Sequence, residues 1–510
     1  MYAAITTAAL WGIQAWPVTV ETDLTAGLPG LSLVGLAEQV VRESGQRVRS
    51  ALLNSGCGFP AKKIVVNLSP ANRKKEGSHF DLPIAMGILG ASGRLNAADM
   101  GQYAMIGELS LNGQIRGVAG MLPLLLGLRA QGWKKVIFPG ENKAEVGLIS
   151  DMQLYAADHI CQVVAHFEGI RPLRALKGSE PATASLRPRV PVLSDCGDFS
   201  QVFGQEVAKR CIVLACGGMH GLLLCGSPGI GKTMLASRIP TVLPELSYEE
   251  LLEVTQIYSA AGRLSQREQQ CRNPPFRSPH YGITAAALLG GGQRPRPGEV
   301  SLAHRGVLFL DELPLFDARV LELLRTPLEE GEVRLARSEG SYCFPSRFML
   351  AAAMNPCRCG YYNDSKRQCR CTRQQLESYR KRLSGPLMDR MDIQISMSAP
   401  AEREDVSGAG LCTTSLQMKR QIEAIQRRQA KRYRGESISY NSQLTPALLQ
   451  TYCPMTASAK LLLFQYMDRF CISVRAQHKI IKVARTIADS NGCDTIEEEH
   501  VAEALQYRQC

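Results

Sequence analysis

Gly226-Ser227-Pro228-Gly229-Ile230-Gly231-Lys232-Thr233 is the stretch on which the reading of this chain turns. It follows the short apolar run Gly221-Leu-Leu-Leu-Cys225 and leads into Met234-Leu-Ala-Ser-Arg238. A buried strand is therefore expected to pass through a glycine-rich loop into a helix. Glycines there let backbone N–H groups close around a triphosphate, and the helix N-terminus adds favourable partial charge. Lys232 is placed to reach the β- and γ-phosphates of ATP, and the Thr233 hydroxyl to bind Mg2+. A plain glycine-rich turn could carry the same letters but requires neither the strand before nor the helix after.

Such a loop needs a carboxylate downstream to hold the metal. Gly306-Val-Leu-Phe-Leu310-Asp311-Glu312 supplies one, as an apolar strand ending in two acids. Asp311 is assigned to Mg2+ and Glu312 to the water that attacks the γ-phosphate. A third apolar run, Phe348-Met-Leu-Ala-Ala-Ala-Met354, ends at Asn355, which can touch the γ-phosphate or the lytic water; an Asn before Pro356 is equally at home in a turn.

At 510 residues the chain is too long for one ordinary domain, and two or three are expected. With 45% hydrophobic and 21% charged residues it is neither disordered nor collagen-like. Seventeen cysteines, an odd number in a chain too long to need stapling, favour a reducing cytoplasm. No run approaches the roughly 18 apolar residues of a membrane span. The apolar opening, Met1–Val20, has no basic start and is broken by Trp11, Gln14, Trp16 and Pro17, so it reads as strand and turn rather than a leader.

Residues 1–172 show α/β texture, with a strand over Lys63–Leu68 and buried helices over Leu82–Leu89 and Leu122–Leu128. Residues 173–200 turn to Arg-Pro, Ser and Thr and read as a linker. Residues 201–400 form a second α/β region. Residues 401–510 are mainly helical, over Ser415–Arg434, Thr445–Phe470, Val474–Asp489 and Ile496–Gln506.

With these residues in place the chain resembles the AAA+ superfamily. Asn355 stands at the sensor 1 position, Arg390 in Gly385-Pro-Leu-Met-Asp-Arg390-Met-Asp392 resembles the arginine finger, and Arg475 in Ser473-Val-Arg475 resembles sensor 2. Phe276-Arg-Ser-Pro-His280, Gly290-Gly-Gly292, Arg296-Pro-Gly-Glu-Val-Ser-Leu-Ala-His304 and Val483-Ala-Arg-Thr-Ile-Ala-Asp489 narrow it to the magnesium-chelatase-like ATPases, closest to the ComM/YifB family. The resemblance covers essentially the whole chain. It implies a P-loop core with a parallel sheet, a helical C-terminal lid and an α/β Lon-protease-like N-terminal domain. It also implies a homo-hexamer that hydrolyses ATP with Mg2+. An arginine supplied in trans is worth roughly 10³–10⁵ in rate, although Arg390 could instead pair with Asp389 or Asp392, and Arg475 could lie on a solvated helix face. One departure stands out: His280 is followed by Tyr281 where the family usually has a second histidine.

The net charge of +12 makes a polyanion a plausible partner. Residues 355–382 and 411–440 together carry +11 of it. Such concentration favours a nucleic-acid-facing surface, with a solvated helix face the plainer reading of Lys419–Arg434. The span between Lys232 and Asp311 leaves room for an insert over about 257–304, like the helix-2 insert of this clade. Residues 331–346 alternate on both sides of Ser338-Glu-Gly340 and read as a β-hairpin, which in the clade points into the ring channel. Arg334 and Arg337 could there track phosphates, or simply be solvated.

Within the first basic stretch lie Cys357-Arg-Cys359 and Cys369-Arg-Cys371. Four thiols within fifteen positions can close tetrahedrally on a structural Zn2+, or remain free or act as a redox pair. Metal in the 357–371 loop would hold Arg358, Lys366, Arg367 and Arg370 toward DNA or the next subunit.

Val20-Glu-Thr-Asp-Leu24, Gly27-Leu-Pro-Gly30, Lys75-Glu-Gly-Ser78-His-Phe-Asp81-Leu-Pro and Ile106-Gly-Glu-Leu-Ser-Leu-Asn-Gly113 carry the Lon-like resemblance. Alignment puts Asp81 at the nucleophile position and Leu124 at the lysine base, so no catalytic dyad is expected. The resemblance as a whole implies a DNA translocase or helicase that drives branch migration of single-stranded and branched DNA in natural transformation and homologous recombination, beside recombination proteins. A chelatase-type metal-insertion motor and a protein-remodelling ATPase are the alternatives.

Overall fold

A strand that covers one face of a core must alternate, and Lys63–Ser69 does so, with Ile64, Val66 and Leu68 buried and the residues between them partly open. The structure, a computed structural model, describes residues 2–36, 38–176, 197–264, 272–292, 295–337, 340–362, 364, 367–383, 385–397, 413–470 and 472–508. They fall into two units. One is formed by Met1–Arg189, Leu251–Cys271 and Ala336–Cys343; the other by Val190–Glu250, Arg272–Leu335 and Phe344–Cys510.

The first unit is built on a seven-stranded mixed sheet. Its order is Gly30–Val34, Lys63–Ser69, Gln14–Thr25, Tyr2–Trp11, Ala104–Met105, Lys135–Pro139, Gln153–Ala157. The apolar opening is thus the antiparallel hairpin Tyr2–Trp11 and Gln14–Thr25, in register from Tyr2↔Asp23 to Trp11↔Gln14. The helix Asp81–Ala91 lies on this hairpin, and all eleven of its residues are buried. Its first residue, Asp81, accepts from Arg47 Nε at 2.8 Å and Nη2 at 3.1 Å, and from the Leu109 amide at 3.2 Å. Leu124 is fully buried in an apolar cluster with Ile106, Leu122 and Phe138. The Ser78 hydroxyl donates to Glu108.

Two segments distant in sequence complete this unit. In the helix Tyr248–Ala261, Gln256 Nε2 donates to the Ile13 carbonyl at 2.6 Å and Ser259 donates to the buried Glu145. From the hairpin Glu332–Arg337 and Gly340–Pro345, Tyr342 stacks on Trp11 with ring centroids 4.2 Å apart, and Trp11 Nε1 donates to the Ser341 carbonyl at 3.1 Å.

The second unit holds five parallel strands in the order Phe276–Arg277, Val307–Leu310, Met349–Met354, Leu222–Gly226, Ile393–Met397. Leu222–Gly226, Val307–Leu310 and Met349–Met354 are buried at every position, as strands covered on both faces must be. Gly221 opens the phosphate-loop strand where a Cβ would stand 2.2 Å from the Arg390 carbonyl oxygen, so no larger residue fits. Phe199 and Val202 are already part of this unit's core, so the compact structure starts just before the expected end of the linker. The first four residues of the expected linker are corrected to an ordered end of the first unit: Ala175 pairs with Tyr155, and the Leu176 amide donates to the Leu154 carbonyl at 2.7 Å. Residues 177–196 lie outside the described residues, as do 265–271 and 293–294 of the expected insert and 398–412 around the lid's start.

The C-terminal helices are Ser415–Arg432, Pro446–Tyr452, Ala457–Phe470, Val474–Asn491 and Glu498–Gln506. The single helix expected over Thr445–Phe470 is corrected to two. Pro454 has no N–H to donate and forces the residue before it out of helical geometry. The chain between the helices instead pairs with Ile496, whose amide donates to the Pro454 carbonyl at 2.8 Å and whose carbonyl accepts from Thr456 at 3.0 Å. Asp489, fully buried, is held by Arg432 and Arg485 and by Asn441 Nδ2 at 2.9 Å. Among the described residues no helix is long and apolar enough to cross a membrane.

Candidate active site

Gly226–Thr233 connects the end of a central strand to the helix Lys232–Ser237, as a P-loop requires. Gly229 and Gly231 take positive φ angles, 79° and 97°, which a side chain would resist. Lys232 is 8% exposed, and its ammonium group has three hydrogens and three acceptors. These are the Gly226 carbonyl at 2.7 Å, the Ser227 carbonyl at 2.9 Å and Asn355 Oδ1 at 3.0 Å. Burial lowers its pKa, and an arriving phosphate would have to take over a hydrogen that one of these acceptors now holds.

The adjacent strand and the one beyond it deliver the other groups. Val307–Leu310 ends at Asp311, whose Oδ2 accepts from Thr233 Oγ1 at 2.7 Å. Two oxygens sharing an octahedral Mg2+ at about 2.1 Å stand about 3 Å apart, so this pair fits the ion with little movement. Asp311 Oδ1 accepts from the Glu312 amide at 2.8 Å, and Glu312 has a left-handed backbone, φ 52°. A non-glycine residue held there costs free energy and marks a place where side-chain direction matters. Met349–Met354 ends at Asn355, whose carbonyl accepts from the Tyr379 hydroxyl at 3.1 Å. Burial raises the Tyr379 pKa to about 12, which keeps that hydroxyl a donor.

Arg390 and Arg475 are not in this cluster. Arg390 precedes the strand Ile393–Met397, in which Ile393 pairs with Leu222 and Met397 with Gly226. Arg390 therefore lies at the end of the sheet away from the phosphate loop, separated by four strand steps, about 13 Å. It pairs with Glu329, and its Nε is buried without a hydrogen-bond partner among the described residues. Burial, then repulsion from Arg325 and Arg475, keeps its pKa below the usual arginine value, which puts Arg475 in the same neighbourhood.

The four cysteine sulfurs converge, all within 4.8 Å of one another. Cys357–Cys359 is 3.3 Å, Cys359–Cys369 3.5 Å and Cys357–Cys369 3.7 Å. Tetrahedral thiolates at about 2.3 Å from zinc stand about 3.8 Å apart, so the donor set suits Zn2+. Backbone N–H groups of Tyr361 and Arg370 point at Cys359 and lower its pKa to about 6, favouring the thiolate a metal needs.

Of the basic residues singled out in sequence, Arg358, Arg367 and Arg370 are exposed. Arg367 lies over the Tyr361 ring at 5.1 Å and donates to its hydroxyl at 2.7 Å. Lys366 lies outside the described residues. Arg334 is exposed and engaged with Glu332 and Glu330, and Arg337 is exposed at the end of its strand. Sequence reasoning missed Tyr379 and Asp364, whose Oδ2 accepts from Ser227 Oγ at 2.6 Å. Neither belongs to a spaced motif.

The fold and site define a P-loop ATPase of the AAA+ class. The pattern described as magnesium chelatase, subunit ChlI, matches residues 198–405; those described as subunit ChlI of Mg-chelatase and as its C-terminal part match 20–142 and 412–508. The uncharacterized protein YifB of Salmonella typhimurium is 42% identical over 99% of this chain and 97% of its own length. The competence protein ComM of Haemophilus influenzae is 40% identical over 99% of this chain and 97% of its own. The magnesium-chelatase 38 kDa subunit of Cereibacter sphaeroides is 27% identical over 31% of this chain and 52% of its own. The chain belongs to the ComM/YifB family of magnesium-chelatase-like AAA+ ATPases.

Proposed function

We propose that the chain is the subunit of a hexameric, ATP-driven DNA translocase that promotes branch migration when incoming DNA recombines, as the full-length likeness to a competence protein suggests. One observation carries the DNA reading: the net charge of +12 is almost wholly concentrated in residues 355–382 and 411–440, the first of which begins at Asn355 of the ATP site. A strand held through its phosphates at Arg358, Arg367 and Arg370 would be held without regard to sequence, as translocation demands.

In this reading Lys232 and the loop amides bind the phosphates, Thr233 and Asp311 hold Mg2+, and Glu312 orients the attacking water with Asn355 beside it. The ion, when bound, draws charge from the phosphate oxygens. Arg390 lies too far from its own loop to touch its γ-phosphate, with Arg475 in its neighbourhood, which favours their action on the nucleotide of a neighbouring copy; this is the main support for a ring. The cysteine cluster holds a structural Zn2+. The segment 1–172 serves as a non-proteolytic Lon-like module, since Asp81 is tied to Arg47 and Leu124 has no proton to exchange.

The test is ATP turnover with and without single-stranded or branched DNA, across a salt series. Acceleration that fades as salt rises is expected, because phosphate contacts release counterions. Turnover indifferent to DNA at low salt overturns the translocase reading while leaving the ATPase intact.

A further inference from the structure

The cysteine cluster and the phosphate loop are joined by direct contacts that neither role explains. Gly360, directly after Cys359, has φ 87°, and a Cβ there would stand 2.5 Å from Pro228 Cδ. The loop bearing the thiols is thus pressed onto the phosphate loop at a point that admits only glycine. The Gly360 amide donates to the Cys357 carbonyl at 3.0 Å, closing the turn around the first two sulfurs. Four residues on, Asp364 reaches the same target: one oxygen accepts from Ser227 Oγ at 2.6 Å, the other from the Arg367 amide at 2.9 Å. Arg367 is in turn fixed by the Tyr361 ring and hydroxyl. At the root of the loop, Asn355 takes one hydrogen of Lys232 two residues before Cys357.

We propose that Asp364 is a positioning residue for the phosphate loop, and that metal ligation by Cys357, Cys359, Cys369 and Cys371 is thermodynamically coupled to nucleotide binding through it. The proposal rests on the zinc and ATP readings above. Zinc closes the 357–371 loop and so removes the chain entropy that would otherwise oppose holding Asp364 and Gly360 in place. With the metal gone, the loop gains freedom, Ser227 loses a charge-assisted hydrogen bond, and Pro228 loses its packing surface. The coupling is reciprocal: whatever factor zinc adds to nucleotide affinity, nucleotide adds to zinc affinity.

The experiment uses the full chain, with zinc content measured by elemental analysis. Affinity for a fluorescent ADP analogue is read for metal-loaded protein, protein stripped by chelator, and the Asp364→Ala and Asp364→Asn variants. Zinc release to a chromogenic chelator is followed with and without a non-hydrolysable ATP analogue. The expected result is one zinc per chain, affinity weakened about tenfold or more by stripping, the size of one charge-assisted hydrogen bond, and a similar loss in Asp364→Ala with its zinc retained. Asp364→Asn, which keeps an acceptor for Ser227, recovers part of the loss. Stripping Asp364→Ala adds little further, and nucleotide slows zinc release in the wild type but not in that variant. Because Asp364→Ala keeps the metal, a loss of fold on stripping does not obscure the outcome. Unchanged nucleotide affinity in Asp364→Ala, or zinc release blind to nucleotide, overturns the coupling. Protein that binds nucleotide but contains no zinc overturns the metal reading and the coupling with it, and failure to bind nucleotide at all overturns the ATP reading instead.

Discussion

Lys232 Nζ and Asn355 Oδ1 stand 3.0 Å apart across the tips of two adjacent parallel strands. The amide oxygen steers the ammonium group without contributing a charge of its own, so it can align the phosphates while leaving their binding to the loop. Asn355→Ala is expected to lower kcat about 10- to 100-fold with KM changed only a fewfold. Steady-state kinetics checks this; equal loss in binding and turnover would show that Asn355 merely shapes the loop.

Glu312 follows Asp311 with a left-handed backbone, and its amide rather than its carboxylate donates to the Asp311 side chain. Glu312→Gln is expected to keep ATP affinity and cut turnover by about 10²–10⁴, the usual range for a lost general base. Filter binding of labelled ATP together with phosphate release separates the two effects.

Arg390 and its own Lys232 occupy opposite ends of the strand Leu222–Gly226. Arg390→Ala and Lys232→Ala proteins should each be nearly inactive, the first by about 10³-fold or more. Mixing the two should recover turnover, since an intact loop on one chain then faces an intact arginine on the next. A mixture as dead as its parts would mean that Arg390 acts within its own chain or only braces Glu329.

His79 is buried in the first unit with Nε2 2.9 Å from the Ala8 carbonyl, and burial lowers its pKa from 6.5 to about 4. The unfolded chain takes up this proton first as pH falls. The stabilisation is therefore whole above pH 6.5 and is lost progressively down to about pH 4, a swing of about 3 kcal/mol. Thermal melts of wild type and His79→Gln should diverge in their pH slope over that window and run parallel above it.

The phosphate site was legible because its chemistry needs contiguous residues: glycines for the bend, then lysine and threonine at the helix start. Asp311 and Asn355 were legible because each caps an apolar run of strand length. Asp364 was not, since its partner Ser227 is distant in sequence and no spacing links them. Nor could sequence show that Arg390 stands at the far end of the sheet, which depends on the parallel pairing of Leu222 with Ile393. Pro454 was in plain view inside the segment expected as one helix, and its missing donor should have divided it.

The first unit draws on three separate stretches, 1–189, 251–271 and 336–343. Cutting the polypeptide within residues 177–196 would therefore not free a self-sufficient motor. Removing everything before the cut would take away Glu145 from Ser259 and Trp11 from Tyr342, both now buried, and bare the surface they cover. Two stretches that sequence order assigns to the motor thus fold with the N-terminal region, so the boundary between modules is not a single point along the chain.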